Sequence, residues 1–191
     1  MNYYPLKHLA IVHTGTYQKP APGGRVLYLQ AKHFDEQGLI KNQALLIRDI
    51  PMDTRVAKHL LVHNDLLLIA KGKYNQLCIY KEDFGPAVAS SVFFVIRLQS
   101  EKILPEFLMW YFNSRRIQLK LTRKNKGTSI PSIAKSVVTE MEIPVPELAT
   151  QQKILDIHQL WSREQQLARQ LLQEKEQFYE NTLMQLFQRT T

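Results

Sequence analysis

The sequence predicts a mixed α/β (α+β) fold: a curled, mainly β domain with flanking helices over residues 1–148, followed by one long coiled-coil-type helix over 149–191. Three observations predict it. Short β-branched, aromatic or continuously apolar runs, broken by glycine and proline, fill the first hundred residues. A stretch with apolar residues three and four apart follows. From Gln151 to Thr191 there is neither glycine nor proline to stop a helix.

In chain order, Leu6 to Thr14 is ambiguous: Leu6, Leu9, Ala10 and His13 suit a helical face, whereas Ile11-Val12 suits a strand. The breaks Thr14-Gly15, Pro22-Gly23-Gly24, Gln37-Gly38 and Gly85-Pro86 then separate candidate strands at Val26–Leu29, Asp65–Ala70, Leu77–Tyr80 and Val92–Ile96. Pro105 suits a first helical turn, and Phe107, Leu108, Tyr111, Phe112, Arg115 and Leu119 recur at helical spacing, so a helix is expected over about 105–122. The helix is expected to end in the basic residues up to Lys126, with Gly127 as its left-handed cap. Glu140 to Pro146 alternates polar and apolar residues before prolines end it, which predicts a strand at a sheet edge.

Thr150 can cap the last helix, whose ~38 residues would reach ~57 Å at 1.5 Å per residue. Its apolar stripe is Ile154, Ile157, Leu160, Trp161, Leu167, Leu171, Phe178 and Leu186, with Leu183 beside it. A domain of this size cannot cover so long a stripe, so the helix is expected to pair with a second chain or a partner subunit.

Charge separates the two parts. The chain has 25 Lys and Arg against 17 Asp and Glu, a formal net charge of +8. From Gln151 onward five basic residues balance five acidic ones, so the whole excess belongs to residues 1–150. A basic domain attracts phosphate backbones through counterion release, which makes double-stranded DNA the first partner to expect. Cys78 is the single cysteine, so the chain cannot build a disulfide framework by itself, consistent with a reducing cytoplasm. No export signal opens the sequence and no apolar run approaches a membrane span.

Catalytic constellations are missing from the sequence. Gly72-Lys73 lacks the upstream glycine of a phosphate loop, there is no nucleophile elbow, and the acids of the first 150 residues are scattered rather than clustered for a nuclease metal. An amino-methyltransferase would need an Asn/Asp-Pro-Pro-aromatic loop and a glycine-rich cofactor turn, and neither occurs. His59 and His63 stand four apart but have no Glu, Asp or Cys at a ligand spacing, so no metal site is expected. The aromatic run Trp110-Tyr111-Phe112 reads as core. The expectation is a non-catalytic protein with no cofactor of its own.

Three segments carry the chemistry of nucleic-acid contact. From Arg115 to Lys126 there are six Lys or Arg in twelve residues and no acid. A helix end completing its dipole with cations is the plain alternative. Arg123, Lys124 and Lys126 are the candidate phosphate contacts here, Thr128 and Ser129 add hydroxyls and amides, and Asn125 suits an adenine edge. The second segment, Lys71 to Gln76, offers Lys71, Lys73, Tyr74 and Asn75 around a glycine. The third runs from Thr16 to Arg25 and offers Lys19 and Arg25.

The order of these segments resembles the specificity subunit of type I restriction-modification systems. Leu9-Ala10-Ile11-Val12-His13-Thr14-Gly15 is similar to the family's opening helix and glycine turn, and Val26–Ala31 with Gly38-Leu39-Ile40 to its first strand and following glycine. His63-Asn64-Asp65-Leu66-Leu67-Leu68 is similar to its Gly-Asp-Val-Leu strand, with Asn64 in place of the usual glycine. The most specific stretch is Gly127-Thr128-Ser129-Ile130-Pro131, then Met141 to Leu148, then Gln151-Gln152-Lys153-Ile154, which follows the family's exit into its spacer helix.

The resemblance implies a target-recognition domain at 1–148 that reads one half of a split DNA site, and a spacer helix that docks methyltransferase subunits. It implies no catalysis by this chain: S-adenosylmethionine, ATP and magnesium would belong to the methyltransferase and restriction subunits. The usual subunit has two recognition domains and two spacer helices, whereas this sequence has one of each. Either a homodimer forms through Ile154, Ile157, Trp161, Leu167, Leu171, Phe178 and Leu186, or the sequence is a truncated or recombinational form; the apolar stripe favours the homodimer. An interaction scaffold built on the long helix, or a nuclease or methyltransferase fragment, are the competing readings.

Overall fold

The computed structural model describes residues 2–35, 37–41, 46–72, 75–124 and 132–189. Its strands are β1 (Asn2–Pro5), β2 (Ala10–Thr14), β3 (Val26–Leu29), β4 (Arg48–Ile50), β5 (Leu66–Ile69), β6 (Leu77–Ile79), β7 (Ala87–Ala89), β8 (Phe93–Leu98) and β9 (Glu142–Val145). Its helices are α1 (Thr54–Ala57), α2 (Pro105–Asn113), α3 (Arg115–Lys124), α4 (Lys135–Thr139) and α5 (Leu148–Arg189). Contacts divide the chain into two units, Met1–Gln151 and Gln152–Thr191.

The first unit is mixed α+β. Its central sheet is antiparallel in the order β2-β8-β5-β6, a second sheet runs β4-β3-β7, and β1 pairs with β9 in a two-stranded ribbon. Every residue of β5 and β6 is buried, the mark of a sheet covered on both faces. One face, carrying Leu67, Ile69, Cys78, Tyr80, Phe93 and Val95, packs against Leu27, Leu29, Ala87 and Ala89 of the second sheet. Along β5 the alternate residues Leu66 and Leu68 point the other way, and α2, with Phe107, Leu108 and Phe112 buried, packs on β6. The far side of the second sheet has its own small core, Val26, Ile50, Val56 and Val88, closed by α1, whose first amides are capped by Asp53.

Two polar ties fix this framework. Asp65, 1% exposed, precedes β5 and accepts from the Val62 amide and from Arg97 on the neighbouring β8. Gln151, fully buried in the first turn of α5, accepts from the Leu104 amide at 2.9 Å and donates to the carbonyls of Lys102 and Pro146 at 2.7 and 2.8 Å.

Several expectations are corrected. The ambiguous opening segment is a 3-10 turn at Leu6–His8 followed by strand β2, so no α-helix forms there. Ile11 is an exposed strand residue between buried Ala10 and Val12. The single helix expected over 105–122 is two, because Ser114 is extended with ψ 141° and its hydroxyl donates to the Tyr111 carbonyl. The last helix begins at Leu148, so Thr150 lies inside its first turn rather than capping it. Strands β1, β4 and β7 and helices α1 and α4 are too short to show a period in the sequence. Gly127 lies outside the described residues.

The second unit is the remainder of α5. Among the described residues no helix is long and apolar enough to cross a membrane.

Candidate nucleic-acid interface

The topology brings the three basic segments together. β2 and β5 both run antiparallel to β8, which lies between them, and β6 runs antiparallel to β5. The C-terminal ends of β2 and β5 and the N-terminal ends of β6 and β8 therefore share one end of the central sheet. Gly15 and Thr16 leave that end, Thr16 bridging Ser90, and residues 70–72 and 75–76 lie at it. Both are anchored on the approach to β8: the Gly15 amide donates to the Phe93 carbonyl at 2.9 Å, Thr16 to Ala89 at 2.9 Å, and Ala70 to Val92 at 2.8 Å. A Cβ on Gly15 would collide with the Ser90 carbonyl, so glycine is required for this approach.

The third segment rests on the same turn from both sides. Gln118 of α3 donates its Nε2 to the Asn75 carbonyl at 2.9 Å. Beyond α3 the Ile133 amide donates to the Ala70 carbonyl at 2.9 Å, and Lys71 and Ser132 form an antiparallel bridge. Asn113, at the end of α2, bonds both the amide and the carbonyl of Leu77 at 2.8 Å, docking the helix pair on the start of β6.

Lys19, Arg25, Lys71, Arg115, Arg116, Lys120 and Arg123 are all exposed. No described carboxylate pairs with any of them, whereas Lys7, Lys81 and Arg97 each hold one. On α3, Ile117 and Leu121 are buried, and Arg116, Lys120 and Arg123, spaced four and three apart, form a cationic strip beside that apolar face. Unpaired surface cations held by a rigid support favour phosphate contact.

Asn75 is a correction. It is 1% exposed and donates its side-chain amide to the Ile69 carbonyl at 2.9 Å, so it closes the turn from within. Lys73, Tyr74, Asn125, Lys126, Thr128 and Ser129 lie outside the described residues, as does the side chain of Lys124. His59 and His63 follow the end of α1 and do not share a helix face; His63 Nδ1 lies 3.9 Å from Glu82. Among the described residues no three His, Cys, Asp or Glu side chains gather as metal ligands would. Trp110 and Tyr111 are only half-buried, unlike Phe112, which is fully buried.

One pocket near this end escaped the sequence reading. A pocket of about 410 Å³ is lined by Tyr28, Gln30, Lys32, His33, Ile47 and Asp49, with Pro20 at its rim. It adjoins the 15–25 segment, because the Tyr28 hydroxyl donates to the Thr16 carbonyl at 3.2 Å and accepts from the Gln18 amide at 3.4 Å. His33 Nδ1 accepts from the Gln30 amide at 3.2 Å. Burial, then Lys32, holds the His33 imidazole below its ordinary pKa, against the opposing charge of Asp49. No spacing rule joins residues 30–33 to residue 49; only the pairing of β3 with β4 does.

On α5, Ile157, Trp161 and Phe178 are 67%, 55% and 66% exposed, and Leu167, Leu171 and Leu186 are exposed as well, while Ile154 is half-buried. The exposed apolar surface is broader than the sequence stripe, since Leu172, Tyr179, Met184 and Phe187 add to it.

The family model for the type I restriction modification DNA specificity domain matches residues 55–177. A comparison with curated proteins finds no match. Among solved structures, the chain is similar to one from work on the complex assembly and conformational transition of the type I R-M system, with 20% identity and a TM-score of 0.67 over 88% of this chain. It is also similar to the HsdS subunit from Thermoanaerobacter tengcongensis, at 22% identity and a TM-score of 0.65 over 88% of this chain. The type I restriction-modification S subunit from M. genitalium is a third, at 14% identity and 0.56 over 85%. The chain spans less than half of each of these: 44%, 44% and 39% of their lengths respectively.

Proposed function

The chain belongs to the type I restriction modification DNA specificity domain family, and from that premise we propose that it binds double-stranded DNA sequence-specifically and performs no chemistry on it. The observation that carries this reading is the convergence of three basic segments, none with a carboxylate partner among the described residues, on one end of the central sheet. Lys19, Arg25, Lys71 and Arg123, with Arg116 and Lys120, are assigned to phosphate contact. Lys73, Tyr74, Lys124, Asn125, Lys126, Thr128 and Ser129 are assigned to DNA contact on their residue types alone. The domain at 1–148 would read one half of a split site.

The helix is assigned a different partner. Its exposed apolar residues require cover, and its balanced charge suits a second copy of itself, so a homodimer would place two recognition domains on one duplex. The paired helices would also dock a type I methyltransferase subunit. S-adenosylmethionine, magnesium and ATP act in the methyltransferase and restriction subunits, and the complex works in the cytoplasm.

Selection from a pool of randomised duplexes by the purified chain tests this reading. Enrichment of a defined motif supports it; a pool that stays random after repeated rounds, with binding governed by salt alone, contradicts it.

A further inference from the structure

The pocket beside β3 contains a carboxylate that the fold leaves unsatisfied. The pairing of β3 with the edge strand β4 shifts register: Val26 faces Ile50, but Leu27 faces Arg48, so Asp49 is the extra residue of a bulge. A bulge bends the strand and re-aims the extra side chain, and bulges gather at binding sites for that reason. The 20–25 segment clamps this one from outside. The Ala21 amide donates to the Asp49 carbonyl at 2.7 Å and the Arg25 amide to the Ile50 carbonyl at 3.0 Å. A Cβ on Gly24 would collide with the backbone of Asp49 and Ile50, so only glycine allows the clamp to close.

Held in this way, Asp49 lines the pocket, and its Oδ1, shielded from solvent in the free chain, has no hydrogen-bond partner among the described residues. Buried carboxylate oxygens are almost always satisfied within the protein. Lys32 lines the same pocket and is exposed, Arg25 is exposed on the segment that clamps the bulge, and Lys19 is exposed just before that segment. A carboxylate on a phosphate-binding surface repels the backbone and is favourable there only toward a hydrogen-bond donor. DNA presents such a donor on its major-groove edge as the exocyclic amino group of adenine or cytosine.

We infer that Asp49 is a specificity-determining residue: in the bulge of β4 it accepts a hydrogen bond from the exocyclic amino group of one adenine or cytosine, while Lys32 holds the adjacent phosphate. This rests on the DNA-reading function proposed above. Guanine and thymine present a carbonyl at the same edge, and an acceptor facing an acceptor is rejected. Asp49 therefore selects by repulsion as well as by bonding.

The test uses the full chain and the duplex motif it selects from a randomised pool. Each adenine of the motif is replaced in turn by purine, which lacks the amino group, and each cytosine by 2-pyrimidinone, and affinities are measured for wild type, Asp49→Ala and Asp49→Asn. At one position the amino deletion is expected to weaken wild-type binding by ~10-fold or more. Asp49→Ala should bind the intact duplex weakly by a similar factor and be indifferent to that deletion, and Asp49→Asn, which keeps an acceptor, should recover part of the loss.

If amino deletion at every adenine and cytosine leaves wild-type binding unchanged, or affects wild type and Asp49→Ala equally, the inference is overturned while DNA reading stands. If wild type selects no motif, DNA reading itself fails and the assignment of Asp49 fails with it. The wild-type arm can overturn the inference even where Asp49→Ala folds poorly, and Asp49→Asn then supplies the comparison that assigns the contact to Asp49.

Discussion

Arg97 grips Asp65 with two parallel hydrogen bonds, Nε to Oδ1 at 2.8 Å and Nη2 to Oδ2 at 2.6 Å, joining β8 to the turn that starts β5. The carboxylate is 1% exposed and the guanidinium side chain about a third exposed. Arg97 also donates to the Leu60 carbonyl at 3.3 Å. Removing one partner of so buried a pair leaves an uncompensated charge. Asp65→Ala should therefore lower stability by roughly 2–4 kcal/mol, somewhat less than for a fully buried pair because water reaches Arg97. Urea unfolding checks this, with the midpoint shifted and the slope unchanged.

Asn64 has φ +66°, the left-handed conformation, and its Oδ1 accepts from Lys81 Nζ at 2.6 Å while the same ammonium holds Glu106 at 2.7 Å. Asparagine tolerates that backbone and also supplies the acceptor. Asn64→Gly should stay within about 1 kcal/mol of wild type, losing a bond but relieving the backbone, whereas Asn64→Val should cost about 2 kcal/mol or more. Thermal unfolding of the two variants gives the order; Val matching Gly would mean the turn rearranges.

Acid should destabilise the domain first through two histidines. Burial, then Arg97, holds His13 below its ordinary pKa of 6.5, and burial, then Lys32, does the same to His33. Each is neutral in the folded chain where the unfolded chain has bound a proton, so their contribution is complete above 6.5 and is lost as pH falls below it. Glu106 acts lower. Burial would raise its carboxyl, but the hydrogen bond from Lys81, a backbone bond and nearby positive charge outweigh it, so its contribution is lost only as pH falls below 4.5. Calorimetry should show Tm falling between about pH 7.5 and pH 5.5, with a shallower fall for the His13→Gln/His33→Gln double variant. A Tm that rises over this range would contradict the assignment.

The cations of α3 should act on all sequences alike. Replacing Arg116, Lys120 and Arg123 by Ala should weaken binding to specific and random duplexes in parallel and lower the steepness of the salt dependence by about one unit for each phosphate left unneutralised. Fluorescence anisotropy across a salt series measures it, and an unchanged slope would remove the strip from the interface.

Much of the fold was legible because burial writes a period into sequence. Val26–Leu29 matched its strand residue for residue, and the unbroken run after Gln151 is helical, because long or fully apolar elements need little tertiary context. The misses had tertiary causes. The 3-10 turn at Leu6–His8 ends where Ala10 joins β8, and Arg48–Ile50 is a strand only because Val26 and Leu27 pair with it. At the candidate interface, Lys19, Arg25, Lys71 and Arg123 were readable as charge, and the anchoring of their segments around one sheet end was not, since it follows from strand order. Asn75 shows the limit of composition: the same amide that suits a base edge is spent on the Ile69 carbonyl. Asp49 could not be singled out at all, because its oxygen is left unpaired by a bulge.

The central claim is that this chain reads DNA sequence. The most direct measurement is the ratio of its dissociation constants for a scrambled duplex and for the duplex it selects, at about 150 mM salt. A reader of base edges should favour the selected duplex by ~10³-fold or more, in the range of sequence-specific DNA-binding proteins. A ratio near one would mean that the basic surface binds phosphate alone, and would contradict the account.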